Sequence, residues 1–115
     1  MFNVNRSAVY LAKLGFYPQH NGFGYLAYAM TVFASDPMGY YSGGVDLVAR
    51  VAADFGVSAV CVRRCMSYSI HSAWEMPANS ALRAIFPGSS ADYPPSLHEF
   101  ICRAAIDLGL RPEVQ

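Results

Sequence analysis

The sequence predicts an all-α fold of about six helices, organised around a helix-turn-helix over residues 45–75. Three observations carry this reading. Apolar residues recur at spacings of three and four, the period of a helix with one buried face. No stretch shows the apolar–polar alternation of a half-buried strand. Within residues 51–74, VAADFGVSAVCVRRCMSYSIHSAW, Ala52 is followed four residues later by Gly56, and Val62 comes six after that. This spacing suits a helix-turn-helix, with a small residue where the helices cross and a glycine in the turn, where φ is often positive. A branched apolar residue on the second helix then packs back on the first. Val51, Phe55, Val57, Val62 and Cys65 fall on the apolar positions around this frame, and Ser58 is placed to cap the second helix. On spacing alone, the alternative is an ordinary helical hairpin in a bundle.

The elements follow in order. Residues 1–4 form a loose start. Ala8, Val9, Leu11, Ala12 and Leu14 give a short helix from Ser7 to Leu14, stopped by Gly15. Pro18, His20, Asn21 and Gly22 make 16–22 a loop. Phe23 to Ala34 is apolar nearly all round, so its helix is expected to be central and buried. Asp36-Pro37 and Gly39 end it, and 40–44 is a second loop. Asp46 to Asp54 is the first motif helix, with Leu47, Val48, Val51 and Ala52 inward. Ser58 to Glu75 is the second, with an inner stripe of Val62, Cys65, Met66, Ser69, Ile70, Ala73 and Trp74, stopped by Pro77. Ala78 to Phe86 is shorter, with Ala81, Leu82, Ile85 and Phe86 inward and Pro87-Gly88 as its break. Residues 89–95 form a loop. Ser96 to Glu99 reads as a capping box that opens a last helix over 97–108, with Gly109 as its stop.

Composition bounds the class. A chain of 115 residues is expected to be one domain, 1–115, with a core of its own. Hydrophobic residues make up 54% and charged residues 14%, which favours a partner surface or an oligomer. No apolar run approaches the ~20 residues of a membrane span, and the start lacks signal-peptide features. Three cysteines without a secretory signal point to reduced thiols and a cytoplasmic location. The formal net charge is zero, so bulk positive charge offers no route to nucleic acid.

The outer face of the second motif helix carries Ser58, Ala59, Val60, Arg63, Arg64, Ser67, Tyr68 and His71. In a helix-turn-helix the first turns of this helix meet base edges and phosphates in the major groove. Arginine grips guanine at two acceptors, and serine or tyrosine hydroxyls serve phosphates. Ala59, Val60 and Cys61 can touch a thymine methyl but offer no hydrogen bonds to bases. The plain alternative is a solvated face with two surface arginines. Cys61 and Cys65 lie at i and i+4 with His71 beyond, without the C-x-x-C spacing of zinc modules, so no metal is expected. Cys65 and Cys102 read as core and Cys61 as boundary. His20 and His98 read as exposed. No phosphate-binding glycine loop or paired carboxylates stand out, so neither a cofactor nor an enzyme is expected. Trp74 reads as core.

These residues resemble a known family, the C-terminal DNA-binding effector domain of stage 0 sporulation protein A. Leu14-Gly15, Gly22, Tyr25-Leu26 and Ala29 resemble its first loop and second helix. Leu47 to Phe55 resembles its first motif helix, and Val62, Arg64 and Ala73-Trp74 fall on its recognition-helix valine, arginine and alanine–tryptophan. Ser96, Glu99-Phe100-Ile101 and Leu108 resemble its last helix, so the resemblance spans about residues 7–110. It implies six helices, a helix-turn-helix, and binding to tandem copies of a short DNA box in transcription regulation. The family's phosphorylatable receiver has no counterpart in these 115 residues. Ser67 stands where the family has a further arginine, Arg63 replaces an acidic residue and Cys61 a basic one. Asn21 takes the place of a lysine, Pro18 is shifted by one, and Lys13 is the single lysine.

The expected function is a sequence-specific DNA-binding transcription regulator of the sporulation-initiation type, acting on double-stranded DNA as a homodimer or a tandem dimer. The alternative is a protein-interaction module that kept the fold and lost DNA, joining a full-length regulator or itself through Phe23, Tyr28, Tyr40 and Tyr41.

Overall fold

The structure, a computed structural model, describes residues 4–36, 46–76, 80–86 and 94–110. It is all-helical: α1 (Val4–Lys13), α2 (Asn21–Ser35), α3 (Leu47–Phe55), α4 (Ala59–Trp74), α5 (Ser80–Ile85) and α6 (Leu97–Leu110). Expectations for Pro37, Gly39, Tyr40, Tyr41, Pro77, and Pro87-Gly88 lie outside the described residues.

The organising element is α2. It buries nine of its fifteen residues, Phe23, Leu26, Met30 and Phe33 among them, and lies against α1, α3, α4 and α6. Its start differs from expectation: the helix opens at Asn21, so Gly22 belongs to its first turn and not to the loop. Gly22 is also where α2 passes tightly against the backbone of α4. A Cβ there would lie 2.2 Å from the Cys65 carbonyl oxygen and 2.5 Å from Ser69 Oγ. Only glycine permits that approach.

On one side of α2 lies α1, which begins ahead of Ser7. It turns Ser7, Tyr10 and Leu11 inward and leaves Val9 exposed. Tyr10 can enter the core because its hydroxyl donates to Asp107 at 2.6 Å. Ser7 is buried against Thr31, oxygen to oxygen 3.1 Å. Gly15, at φ 95°, ends the turn after α1 as expected.

The motif frame is in place. The Asp46 carboxylate caps α3 by accepting the amides of Val48 and Ala49 at 3.0 and 3.3 Å. The helix ends at Gly56, in the left-handed region at φ 71°, and the Val57 amide donates back to the Ala52 carbonyl at 3.0 Å. Ser58 Oγ then accepts the Cys61 amide at 3.1 Å and caps α4. Val51, Ala52 and Val62 are buried at this crossing. Phe55 and Val57 are not: they are 45% and 38% exposed. The turn itself runs over the surface, and the Phe55 ring sits edge-on to Tyr25 and Tyr28 at 5.0 and 5.2 Å rather than beneath them.

Along α4 the inner stripe is as expected for Val62, Met66, Ser69, Ile70, Ala73 and Trp74. Cys65 is only half-buried, packed at the margin of the core. The far end of the core is aromatic: Trp74 meets Phe86, Phe86 stacks on Phe100 at 5.7 Å, and Phe100 meets Phe16 at 5.2 Å. In α5, Leu82 is fully buried whereas Ala81 is exposed, since only one side of this short helix meets the core. Ser96 Oγ accepts the Glu99 amide at 3.2 Å, the serine half of the capping box. Gly109 does not stop α6, which continues to Leu110; near that end Arg6 donates to the Leu108 carbonyl at 3.3 Å. Cys102 is core, but Ile106 beside it is exposed.

One tie between α2 and α3 gives a pH prediction. Tyr28 donates its hydroxyl to Asp54 Oδ2 at 2.5 Å, and Arg50 Nε reaches the same oxygen at 2.8 Å. The Tyr28 hydrogen bond first, and the Arg50 hydrogen bond next, hold the Asp54 carboxyl below its usual range. A carboxyl depressed in the folded state contributes stability above its unfolded pKa and loses it as pH falls through the folded value. The Tyr28 phenol is raised, chiefly by the same bond. Tyr28→Phe is therefore expected to move the Asp54 titration upward in a carboxyl-carbon NMR series. An unmoved midpoint would show that the bond does not form in solution.

Candidate nucleic-acid interface

The second motif helix places its outer residues as a single surface. Ser58, Ala59, Val60, Arg63, Arg64 and Tyr68 are all exposed, with Val60 and Tyr68 64% and 62% so. Ser67 is half-buried: it turns to the flank facing the start of α6 and lines a shallow groove with His71, Pro94, Pro95 and Leu97. Arg63 and Arg64 stand one turn into the helix, and no carboxylate occurs among its sixteen residues. A chain of zero net charge therefore still presents a locally cationic helix. The capped N-terminus of α4 opens onto this surface and adds the positive end of the helix dipole.

The loop before α2 extends the surface. His20 precedes the first residue of α2, and its ring lies 5.1 Å from that of Tyr68 and 5.3 Å from that of Tyr17. The Tyr17 hydroxyl reaches Met76 Sδ at 3.7 Å. This row holds Tyr68 at the edge of the helix, and exposed Asn21 follows His20 in the chain. The sequence reads His20 as an exposed loop residue. It is half-buried, and nothing in the local sequence signals its partner, because the contact exists only once α2 crosses α4.

Among the described residues no group of three histidine, cysteine or acidic side chains is placed to hold a metal. His98 is exposed, with its Nε2 3.6 Å from the buried Cys102 thiol. The apolar patch expected for a protein-interaction module does not form around Phe23, which is buried in the core, and Tyr28 is half-buried and bonded to Asp54. No described helix is long and apolar enough to cross a membrane.

A family model described as sporulation initiation factor Spo0A C terminal matches residues 8–107 of the chain. No curated protein matches it.

Proposed function

The chain belongs to the family of the sporulation initiation factor Spo0A C-terminal domain, and we propose that it is a sequence-specific DNA-binding transcription regulator of that type. The recognition helix is α4, docked through Ser58 to Tyr68 in the major groove. The observation that supports this most is the exposed outer face of α4, bearing Arg63 and Arg64 without a carboxylate, on a helix-turn-helix whose Ala52, Gly56 and Val62 are at their positions. Arg64 reads a base edge, Arg63 and the Tyr68 hydroxyl meet phosphates, and Ala59 and Val60 touch thymine methyls. One small neutral domain neutralises few phosphates. The protein therefore acts in pairs, as a homodimer or as tandem copies on adjacent sites.

The test is selection from a randomised duplex library at low salt, with Arg64→Ala in parallel. The wild type is expected to enrich one motif. Arg64→Ala should lose about 1–3 kcal/mol of binding and relax the motif at one position, whereas Arg63→Ala should weaken all sequences alike. A folded, helical wild type that enriches nothing would sink this reading.

A further inference from the structure

Cys61 and Cys65 are both free, and they lie one turn apart on α4. Cys61 is exposed, and Cys65 is half-buried against the core. We propose that Cys61 and Cys65 form a dithiol site that captures a trivalent arsenical, a soft centre that bonds two thiols at once.

Several observations converge on this pair. At i and i+4 the two side chains are neighbours on one face of the helix, and burial first, then a hydrogen bond with Cys61, push the Cys65 thiol up, with the Arg64 charge opposing. The buried Tyr25 phenol on α2 stands behind them: burial raises it, and the neighbouring Cys61 and Cys65 charges raise it further. A direct disulfide does not suit the pair. It needs Cβ atoms about 3.8 Å apart, whereas helical residues four apart hold theirs at about 5–6 Å. Inserting one bridging atom between the sulfurs spans that gap without unwinding the helix.

The chemistry balances without an oxidant or reductant. Exposed Cys61 attacks first, and Cys65 completes the bridge. Two arsenic–sulfur bonds form and two arsenic–hydroxyl bonds break. Each hydroxyl leaves as water with a thiol proton, and arsenic stays trivalent. Cys102 cannot substitute, because it is buried on α6 with a histidine, not a thiol, one turn away.

Cys61 lies one turn before Arg64, and Cys65 one turn before Tyr68, at the edge of the exposed face, so on the DNA-binding reading above the bridge crowds the groove-facing helix. The site itself is tested whether or not the chain binds DNA. The folded protein is treated with phenylarsine oxide in excess glutathione and followed by intact mass spectrometry. One adduct per chain is expected, resistant to the monothiol and removed by dithiothreitol. It should vanish in Cys61→Ser and in Cys65→Ser and persist in Cys102→Ser, with far-UV circular dichroism confirming each fold. Absence of the adduct from the wild type, or its survival in either α4 variant, overturns the site. Where the untreated protein binds DNA, the adduct should abolish that binding in wild type, and its removal by dithiothreitol should restore it. An adduct that leaves DNA binding intact overturns its place on the DNA face. An untreated protein that binds no DNA overturns the proposed function and leaves the adduct result standing.

Discussion

Gly22→Ala is expected to destabilise the protein by about 3 kcal/mol and to lower its melting midpoint by on the order of ten degrees. The added methyl would lie 2.2 Å from a carbonyl oxygen and 2.6 Å from a carbonyl carbon of Cys65. Both are backbone atoms of α4, so no side-chain rotation relieves the contact, and the two helices must separate. Separation also uncovers Val62 and Met66, which are fully buried on α4. Gly24 supplies the control. It lies two residues on in the same helix, and a methyl there meets nothing within 4 Å. Gly24→Ala should stabilise the protein by about 0.5–1 kcal/mol, because alanine loses less backbone freedom in a helix. Thermal melts of the two variants should therefore move in opposite directions. Melts that move together would mean that the α2–α4 crossing is looser than described.

Trp74→Ala should be costlier still, at about 3–5 kcal/mol, a large share of the roughly 5–15 kcal/mol available to a typical domain. Trp74 is 1% exposed at the end of α4. Its ring meets Phe86, the Arg83 guanidinium lies 5.4 Å over it, and Arg83 also donates to the Trp74 carbonyl at 3.0 Å. Removing the ring opens a cavity at the junction of α4, α5 and α6 and leaves Arg83 above it. Trp74→Phe keeps an edge against Phe86 and should cost less than half as much. Since Trp74 is the sole tryptophan, the variants must be followed by circular dichroism in urea rather than by fluorescence. A midpoint for Trp74→Ala close to that of the wild type would contradict the packing described.

The parts of this fold that could be read from the sequence are those written in a local repeat. The stripe from Val62 to Trp74 follows the helical period, and Ser58, Asp46 and Gly56 occupy helix ends by their own chemistry. The resemblance across Leu14 to Leu108 pointed to the same family that the family model matches. What failed to show depends on which way a surface faces. Phe55 and Val57 are apolar and adjacent to the motif, yet their turn lies outside the body, and apolar character alone cannot report that. Gly22 looked like loop chemistry because a glycine needed for a close crossing is written no differently from one needed for a turn. Within the candidate interface, the exposure of Arg63, Arg64 and Tyr68 followed from helical spacing. The sideways turn of Ser67 and the pairing of His20 with Tyr68 did not, since each depends on a neighbour distant in the chain.

The central position of α2 also bears on how the protein is made. Residues 21–35 leave the ribosome before α6, which covers one of their sides. At about 5–20 residues per second, a nascent α2 waits on the order of four to fifteen seconds for that cover. During this interval its apolar surface, with Phe23, Leu26, Met30 and Phe33, is open to chaperones and to neighbouring nascent chains. During synthesis α1, α3 and α4 can gather around α2 as they emerge, but this side of the core closes only when α6 follows.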